Sequence, residues 1–391
     1  MQSRFIVASL LPAPSDPHAV ALEQAGMLRK YFGGGHRPIP GIAAERQVRQ
    51  PAFMYANILA GMTLPLYHYE CARFALSPIF EQWVMNKVEA GDHLITGFGY
   101  FNRLIPRIKA SGGLAILDAR NSHPSNFWSL VAEEHARWEC KLPPIWPRHH
   151  LRQQRSAAIA DYILAPSRFV AASFLDRGFP PEKVFRLPYP VDLSLFQPPV
   201  SPRPKDRPLT LVSSGLLTLR KGSPYLFEAF KLIRKEVPSA RLKLIRSMAT
   251  NFKPVFEKMG YHSLPVDWTG GMKHQQMVPW LQDGDIFLLP TIEEGMVRSA
   301  AEALGCGLPV VTTRNAGVDD LIEEGVNGSL VPIRDPEAIA RAVLAWWDRI
   351  RTGGYDPRET SFERESLGRN SFARNFMRIL ERLLPEMHHH S

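Results

Sequence analysis

The sequence contains little cysteine. Only three cysteines occur in 391 residues, Cys71, Cys140 and Cys306, and no two of them form a Cys-x-x-Cys pair. An odd number of widely spaced cysteines argues against a disulfide framework and gives no support for a structural zinc site. We therefore expect reduced thiols, as in a cytoplasmic protein.

Long apolar runs are also missing. The richest stretch, residues 58–66, is short and is interrupted by Gly61 and Pro65, whereas a membrane-spanning helix needs about 20 consecutive apolar residues. The first residues lead into a brief apolar run that lacks the cleavage site of a secretory signal. Both observations favour a cytoplasmic location.

Several motifs of other protein classes are absent. No internal repeat or low-complexity tract is present. The sequence has no zinc-finger spacing and no aromatic RNA-binding signature, which argues against nucleic acid as a partner. No Gly-x-Gly-x-x-Gly follows the first predicted strand of either half, which argues against a nicotinamide dehydrogenase.

Basic residues are in excess. The 47 Lys and Arg against 38 Asp and Glu leave a formal charge of +9, so some face of the protein attracts anions. Residues 141–155 mix cations with tryptophan and proline, as a segment that touches anionic lipid or a lipid-linked acceptor does. A solvated basic loop is the alternative.

Short apolar strands alternate with helical segments in both halves of the chain, which predicts an α/β protein with parallel sheets. Proline-rich residues 197–208 resist helix and sheet and mark a linker. We therefore predict one domain over residues 1–200, a second over 207–368, and a C-terminal amphipathic helix within 369–391. The predicted strands lie at residues 5–11, 93–96, 114–117, within 160–167, and at 209–213, 240–245, 286–289 and 310–312.

One loop of the second half carries acidic residues. A predicted strand ends at Pro290, Glu294 and Gly295 follow, and a helix is predicted from about Met296. The free N–H groups of a helix start suit an anionic or hydroxyl-rich ligand, and Glu302, further along the helix, can accept hydrogen bonds from a pair of hydroxyls. An ordinary surface helix is the alternative.

A second loop carries basic residues. Residues 213–222 follow the first strand of the second half, where Gly215 permits close backbone approach and Lys221 can place a cation on a phosphate. An ordinary strand-to-helix turn is the alternative. Ligands of open α/β sheets bind at the carboxyl ends of the strands, where both loops lie.

These segments together resemble the retaining glycosyltransferases of family 4. The resemblance rests on Gly215 with Lys221-Gly222, on Glu294-Gly295 with Glu302, and on residues 305–311 and 325–337, with further matches at 160–167 and 183–196. It implies the GT-B fold, in which two Rossmann-like domains face a cleft and the C-terminal helix, residues 371–384, crosses back to the first domain. Residues 1–200 would bind the acceptor and 207–368 the nucleotide sugar.

The resemblance also implies roles for single residues. Glu294 would hold sugar hydroxyls of the donor, Glu302 the ribose hydroxyls, and Lys221 the diphosphate. His123, after a strand of the first domain, would contact the reacting sugar. Further donor contacts would come from Gly215, Arg220, Gly295, Met296, Val297 and Arg298. Leu216 lies where the family often has an arginine, so Arg220 or Arg298 would supply that diphosphate contact.

The expected function is transfer of a sugar from a nucleotide sugar to a glycan or lipid-linked acceptor in cell-envelope or exopolysaccharide synthesis. The resemblance implies a hexosyltransferase that needs no metal and no cofactor beyond the nucleotide sugar, and no metal-ligand cluster is visible in the sequence. The protein would act in the cytoplasm, with peripheral contact to the inner face of the membrane as a further expectation. A non-catalytic nucleotide-sugar-binding partner protein and a nucleotide-sugar epimerase are the alternatives, and the sequence does not identify the base, sugar, acceptor or oligomeric state.

Overall fold

The computed structural model describes most of the chain. The described residues are 4–10, 16–34, 37–50, 55, 59, 66–142, 145–200, 206–245, 247–357, 362 and 364–384. Residues 201–205 of the predicted linker and residues 385–391 of the predicted C-terminal segment lie outside them.

The first half forms a parallel sheet of seven strands in the order β3-β2-β1-β4-β5-β6-β7. Its central strands are short buried apolar runs, in which Phe5, Ile6, Leu94 and Ile116 are fully buried, as expected where helices cover both faces of a sheet. The strands are β1 (Arg4–Ser9), β2 (Leu28–Gly33), β3 (Gln47–Arg49), β4 (Asp92–Thr96), β5 (Ala115–Asp118), β6 (Tyr162–Ala165) and β7 (Val184–Arg186).

Six helices accompany this sheet in the described part of the first half. Their starts follow local rules: the side chains of Asp16 and Ser167 accept hydrogen bonds from the first turns of α1 and α6. The helices are α1 (Pro17–Gln24), α2 (Leu66–Met85), α3 (Leu104–Ala110), α4 (Pro124–Arg137), α5 (Trp146–Ile159) and α6 (Arg168–Leu175).

The second half forms a parallel sheet of six strands in the order β10-β9-β8-β11-β12-β13. The strands are β8 (Thr210–Ser214), β9 (Arg241–Ile245), β10 (Val266–Trp268), β11 (Ile286–Leu289), β12 (Val310–Thr313) and β13 (Gly328–Val331). The helices are α7 (Ser223–Glu236), α8 (Lys253–Lys258), α9 (Met277–Gln282), α10 (Arg298–Gly305), α11 (Pro336–Thr352) and α12 (Arg369–Leu383). Within the described ranges, no helix combines the length and the hydropathy needed to cross a bilayer.

Both sheets reverse their strand order once. The reversal falls between β1 and β4 in the first sheet and between β8 and β11 in the second. This is the order of doubly wound Rossmann sheets, whose ligands bind outside the carboxyl ends of the strands at the point of reversal. The predicted fold class, two Rossmann-like α/β sheets, is confirmed.

Helix α12 lies against the first half of the chain although it follows the second half. Phe372 and Phe376 place their rings 5.2 and 5.3 Å from the ring of His18 on α1. Both phenylalanines belong to a buried cluster with Phe5 and Val7 of β1. The apolar face of α12 thus completes the core beneath one side of the first sheet.

Helix α4 belongs to the first half but reaches the second. Its Glu134 is fully buried, accepts a hydrogen bond from the hydroxyl of Tyr225 on α7 and pairs with Arg334. The ring of Trp138, just beyond α4, lies 5.9 Å from the ring of Tyr225. The two halves are therefore joined by a buried polar contact as well as by the chain.

Candidate active site

A cavity of about 410 Å³ lies between the two halves. The first half lines it with residues that follow β1, β4 and β5 and with side chains of α4 and α5, and the second half lines it with residues 216, 218–221 and 249–251. Since these are the carboxyl ends of strands beside both points of reversal, the cavity stands where open α/β sheets bind ligands.

Two cations and a carboxylate meet at the wall of this cavity. Nη1 of Arg220 lies 2.5 Å and Nζ of Lys221 lies 2.6 Å from the same oxygen, Oε1 of Glu294. Arg220 and Lys221 line the cavity. The fully buried Glu293 stands beside this group, with its Oε2 3.5 Å from Arg220 Nη1.

The loop that carries Lys221 packs closely against the loop that carries Glu294 because Gly222, at their contact, has no side chain. Gly222 has φ +67°, and a Cβ atom there would lie 1.8 Å from the carbonyl oxygen of Pro290 at the end of β11. The N–H of Ile292 in turn donates a 2.9 Å hydrogen bond to the carbonyl of Arg220. The backbone thus holds Lys221 and Glu294 in register before any ligand arrives.

The cluster shifts the pKa of each of its members. Burial would raise the pKa of Glu294, but Arg220 and Lys221 reverse this and hold it below its usual value. Burial lowers the pKa of Lys221, and Glu294 offsets this only in part. Burial raises the pKa of Glu293 against the opposing charge of Arg220. At neutral pH, Glu294 is thus a carboxylate shared by two cations.

The acidic loop also contacts the first half of the chain. The N–H of Ser122, after β5, donates a 2.8 Å hydrogen bond to Oε1 of Glu293. A Cβ atom on Gly295 would lie 1.9 Å from the carbonyl oxygen of Arg120. The residues after β5 and those after β11 therefore form one continuous wall.

Residues 208–349 match the model of the family described as Glycosyl transferases group 1. The match contains both loops of the site and the whole second sheet. This segment is a glycosyl transferases group 1 domain. For this segment, the glycosyltransferase assignment expected from the motifs is confirmed.

Relatives of the chain that contains this group 1 domain occur among bacterial glycosyltransferases. WcaL of Salmonella typhimurium, named for colanic acid biosynthesis, is 30% identical over 198 residues, or 49% of this chain and 48% of WcaL. AmsK of Erwinia amylovora, named as an amylovoran biosynthesis glycosyltransferase, is 28% identical over 146 residues, or 35% of this chain and 36% of AmsK. The chain thus spans about half or less of the length of the curated relatives that it matches.

Solved structures resemble the whole chain. Sucrose-phosphate synthase from Thermosynechococcus elongatus superposes with a TM-score of 0.70 at 18% identity, covering 98% of this chain and 100% of that one. Anabaena HepE in complex with UDP and glucose gives 0.65 at 13% identity, covering 97% and 99%. The expected GT-B fold, which the first half and the group 1 domain form together, is confirmed.

His123 lies in the first half, at the start of α4, and not in either loop of the group 1 domain. It caps α4, since its Nδ1 accepts the N–H of Ser125 at 3.2 Å, and its ring packs edge-on to Phe174 and Phe179. Burial, with Arg177 and His150, lowers the pKa of His123 to about 4. Its imidazole is thus neutral, and within the described part of the chain it is not one of the residues that line the cavity.

Four of the other predicted donor contacts, Glu302, Met296, Val297 and Arg298, are not among the described residues that line this cavity. Oε1 of Glu302 lies 2.8 Å from Nε2 of His274. The N–H of Val297 already donates to the carbonyl of Ala316, so it is not available to a ligand in this conformation. Arg298 is exposed, and Met296 lines a separate space of about 550 Å³ between the two halves. Gly215 adopts φ +111°, and Leu216 after it lines the cavity.

Most of the basic segment 141–155 is helical and does not form the solvated loop that was the alternative. Residues from Trp146 onward form α5, and Pro147 is accepted because it lies in the first turn, where no N–H partner is needed. Trp146, His149 and His150 face the cavity. The segment thus has an inner aromatic face, and its exposed face carries Arg148, Leu151 and Arg155.

Sequence reasoning missed Glu293 and most of the cavity wall in the first half. Glu293 was not predicted because the motif assigns a role only to the adjacent Glu294. The wall contains an unusual number of partly exposed aromatic rings, contributed by Phe74, Tyr100, Phe127, Trp128 and Trp146. The spacing of Trp128 and His135, two helical turns apart, was the available signal.

Proposed function

We propose that the chain is a retaining glycosyltransferase that moves a sugar from a nucleotide-diphosphate sugar to a hydroxyl of a glycan or lipid-linked acceptor, in cell-envelope or exopolysaccharide synthesis. The observation that carries this proposal is the convergence of Arg220 and Lys221 on Glu294 at the cavity wall. Two adjacent cations suit a diphosphate, and a carboxylate between them suits sugar hydroxyls.

The chemistry follows from where charge develops. When the bond between the anomeric carbon and the phosphate oxygen breaks, negative charge grows on the diphosphate, and fixed cations at that place lower the barrier. Lys221 and Arg220 would supply this charge. The acceptor oxygen then bonds to the anomeric carbon from the same face, and its proton passes to the departing phosphate oxygen. Glu294 orients the sugar rather than attacking it.

Binding of the donor changes the partners of the two cations. In the present arrangement Glu294 neutralises Lys221 and Arg220, so a diphosphate has to take over part of their ion pairing. Glu294 is then released to accept hydrogen bonds from the sugar. The same two residues would thus link occupancy of the phosphate position to orientation of the ring beside it.

Relatives support the class of product. WcaL and AmsK are named for the biosynthesis of the polysaccharides colanic acid and amylovoran, and HepE was solved with UDP and glucose. The exposed Arg148, Leu151 and Arg155 on α5 support a further part of the proposal, contact of the first half with an anionic membrane surface that presents a lipid-linked acceptor.

The test is hydrolysis of nucleotide sugars in the absence of acceptor. UDP-, GDP- and ADP-sugars are incubated with the wild-type protein and with Lys221→Ala and Glu294→Gln. We expect each variant to lose on the order of 10²-fold in kcat, because each removes a preorganised charge at the reacting centre. NMR spectroscopy of the first sugar released reports whether the anomeric configuration of the donor is retained.

Matched controls come from α8. Lys253→Ala and Glu257→Gln change the same residue types at an exposed ion pair and should keep wild-type rates. Wild-type rates in Lys221→Ala and Glu294→Gln would contradict the proposed roles. Release of an epimerised nucleotide sugar would identify an epimerase, and binding of a donor without turnover would identify a non-catalytic binding protein.

A further inference from the structure

Helices α4 and α5 meet through pairs of aromatic and imidazole rings at the cavity. Trp128 of α4 stacks on His150 of α5 with ring centres 5.2 Å apart and an angle of 18° between the planes. Two turns further along, His135 of α4 meets Trp146 of α5 edge-on at 5.5 Å. All four residues line the cavity, so its wall in the first half is largely aromatic.

His135 presents an unusual polar atom in this wall. The residue is 3% exposed, and its Nδ1 lies 2.8 Å from the carbonyl oxygen of Val131. Since a carbonyl only accepts, Nδ1 carries the proton, and Nε2 of the neutral ring is left as an acceptor. Burial lowers the pKa of His135, which favours this neutral form.

Nε2 of His135 has no hydrogen-bond partner among the residues that the structure describes. A buried acceptor left without a donor costs stability, and such atoms in native proteins commonly mark a place where a ligand or water binds. Because the ring of His135 borders the cavity, a hydroxyl group of a ligand in the cavity can supply the missing donor.

We propose that a pyranose ring of an uncharged sugar acceptor occupies the cavity beside α4 and α5, donating a hydrogen bond from a hydroxyl group to Nε2 of His135 and stacking its apolar face on the indole of Trp128 or Trp146. The inference deepens the proposed function and rests on it, since it names the acceptor class of the same site. A sugar ring combines hydroxyl donors on its rim with an apolar face of C–H groups, which is the combination that this wall offers.

The charges of the wall favour an uncharged ring over an anion. The charged residues with which the first half lines the cavity, Asp118 and Arg120, pair with each other at 2.9 Å. Arg220 and Lys221 of the second half are occupied by Glu294 and are assigned to the donor. A purely apolar occupant, such as a lipid chain, would bury Nε2 of His135 still without a donor, so it fits less well than a sugar.

The experiment is a titration of tryptophan fluorescence in the full chain, with and without UDP, GDP or ADP. The probes are the methyl α-glycosides of glucose, galactose and mannose, with hexanol as an apolar rival and inorganic phosphate as an anionic one. We expect at least one glycoside to change the emission saturably. Trp128→Phe and Trp146→Phe identify the responding indoles, and Trp280→Leu, which removes a ring that packs on Lys243, should leave the response intact.

The decisive variant is His135→Phe, which keeps an aromatic ring but removes the acceptor. We expect the dissociation constant of the glycoside to rise about tenfold, as for loss of one hydrogen bond to a buried group. His135→Gln keeps an acceptor oxygen and should recover part of this loss. Binding of nucleoside diphosphates, followed by thermal shift, should be unchanged in both variants.

Each failure has its own signature. No response to any glycoside, an equal affinity in His135→Phe, or a response to hexanol or phosphate alone would overturn the acceptor assignment, even if donor hydrolysis proceeds. Failure of the proposed function would instead appear as absence of both nucleotide-dependent thermal shift and donor hydrolysis in the wild-type protein.

Discussion

The hydroxyl of Ser167 donates a 2.7 Å hydrogen bond to the carbonyl oxygen of Gly295 and so ties the first half of the chain to the acidic loop of the second. Gly317 approaches the same carbonyl so closely that a Cβ atom would lie 2.1 Å from it. The loop that carries Glu294 is therefore held by the hydroxyl of Ser167 on one side and by the close backbone approach of Gly317 on the other.

Gly295→Ala should separate the two halves at this point. The added methyl group would lie 1.9 Å from the carbonyl oxygen of Arg120, and backbone has to move to accommodate it. A displacement of about 1 Å at a reacting centre can cost on the order of 10²-fold in rate, so we expect a loss of that size in donor hydrolysis. Gly271→Ala is the control, since a Cβ atom there meets nothing within 4 Å. Equal rates in the two variants would show that the contact does not position the site.

Glu134→Gln should weaken the buried junction between α4 and the second half. The variant removes the charge that faces Arg334 while Tyr225 can still donate to the amide oxygen. We expect the free energy of unfolding to fall by about 2 kcal/mol, as for a lost hydrogen bond to a charged group, because Glu133 still pairs with Arg334 at 3.0 Å. Equilibrium urea unfolding measures this loss. Glu139→Gln, at an exposed pair with Lys258, should leave stability unchanged.

His123 should make the protein less stable in acid. Its folded pKa of about 4 lies below the ordinary value of 6.5, so between these values the unfolded state binds more protons than the folded state. The free energy of unfolding is therefore highest above pH 6.5 and decreases as the pH falls towards 4.

The measurement is urea unfolding of His123→Asn across this pH range. Asparagine still caps a helix but does not titrate, so the stability of this variant should depend less on pH than that of the wild-type protein. His262→Asn, at an exposed histidine, should keep the wild-type slope. An identical slope in His123→Asn would refute a buried neutral imidazole at this position.

Phe376→Ala should destabilise the first half of the chain although the residue follows the second half in sequence. Phe376 is fully buried beside His18, and removal of a buried phenylalanine ring costs about 4 kcal/mol. Urea unfolding should show this loss, whereas Arg378→Ala, at an exposed position of the same helix, should have little effect. Equal stabilities would mean that α12 does not contribute to the core of the first sheet.

Lys221 and Glu294 could be predicted from sequence because each lies in a short segment whose structure is local. A buried strand, a glycine turn and a helix start identify each loop, and the rule that parallel strands end at one edge brings the two loops together. Their charged atoms indeed lie 2.6 Å apart. The two-sheet fold followed from the same alternation of strands and helices.

The wall of the first half could not be predicted in this way. Helical spacing places Trp128 and His135 on one face of α4, but it does not say that this face meets α5. The partner of Glu302 is His274, from a turn that sequence alone does not bring near α10. Helix packing in the folded chain decides such contacts, and the pattern of a single helix does not contain them.

The return of α12 to the first sheet affects the order in which the molecule is completed during synthesis. Residues 4–186 emerge from the ribosome early, but the apolar cluster around β1 stays open until residues 372–380 are available. Domains generally fold as units during translation, with the N-terminal one first, whereas here the group 1 domain can close its core while the first sheet still exposes apolar surface. The half that is synthesised first is thus the last to complete its apolar core.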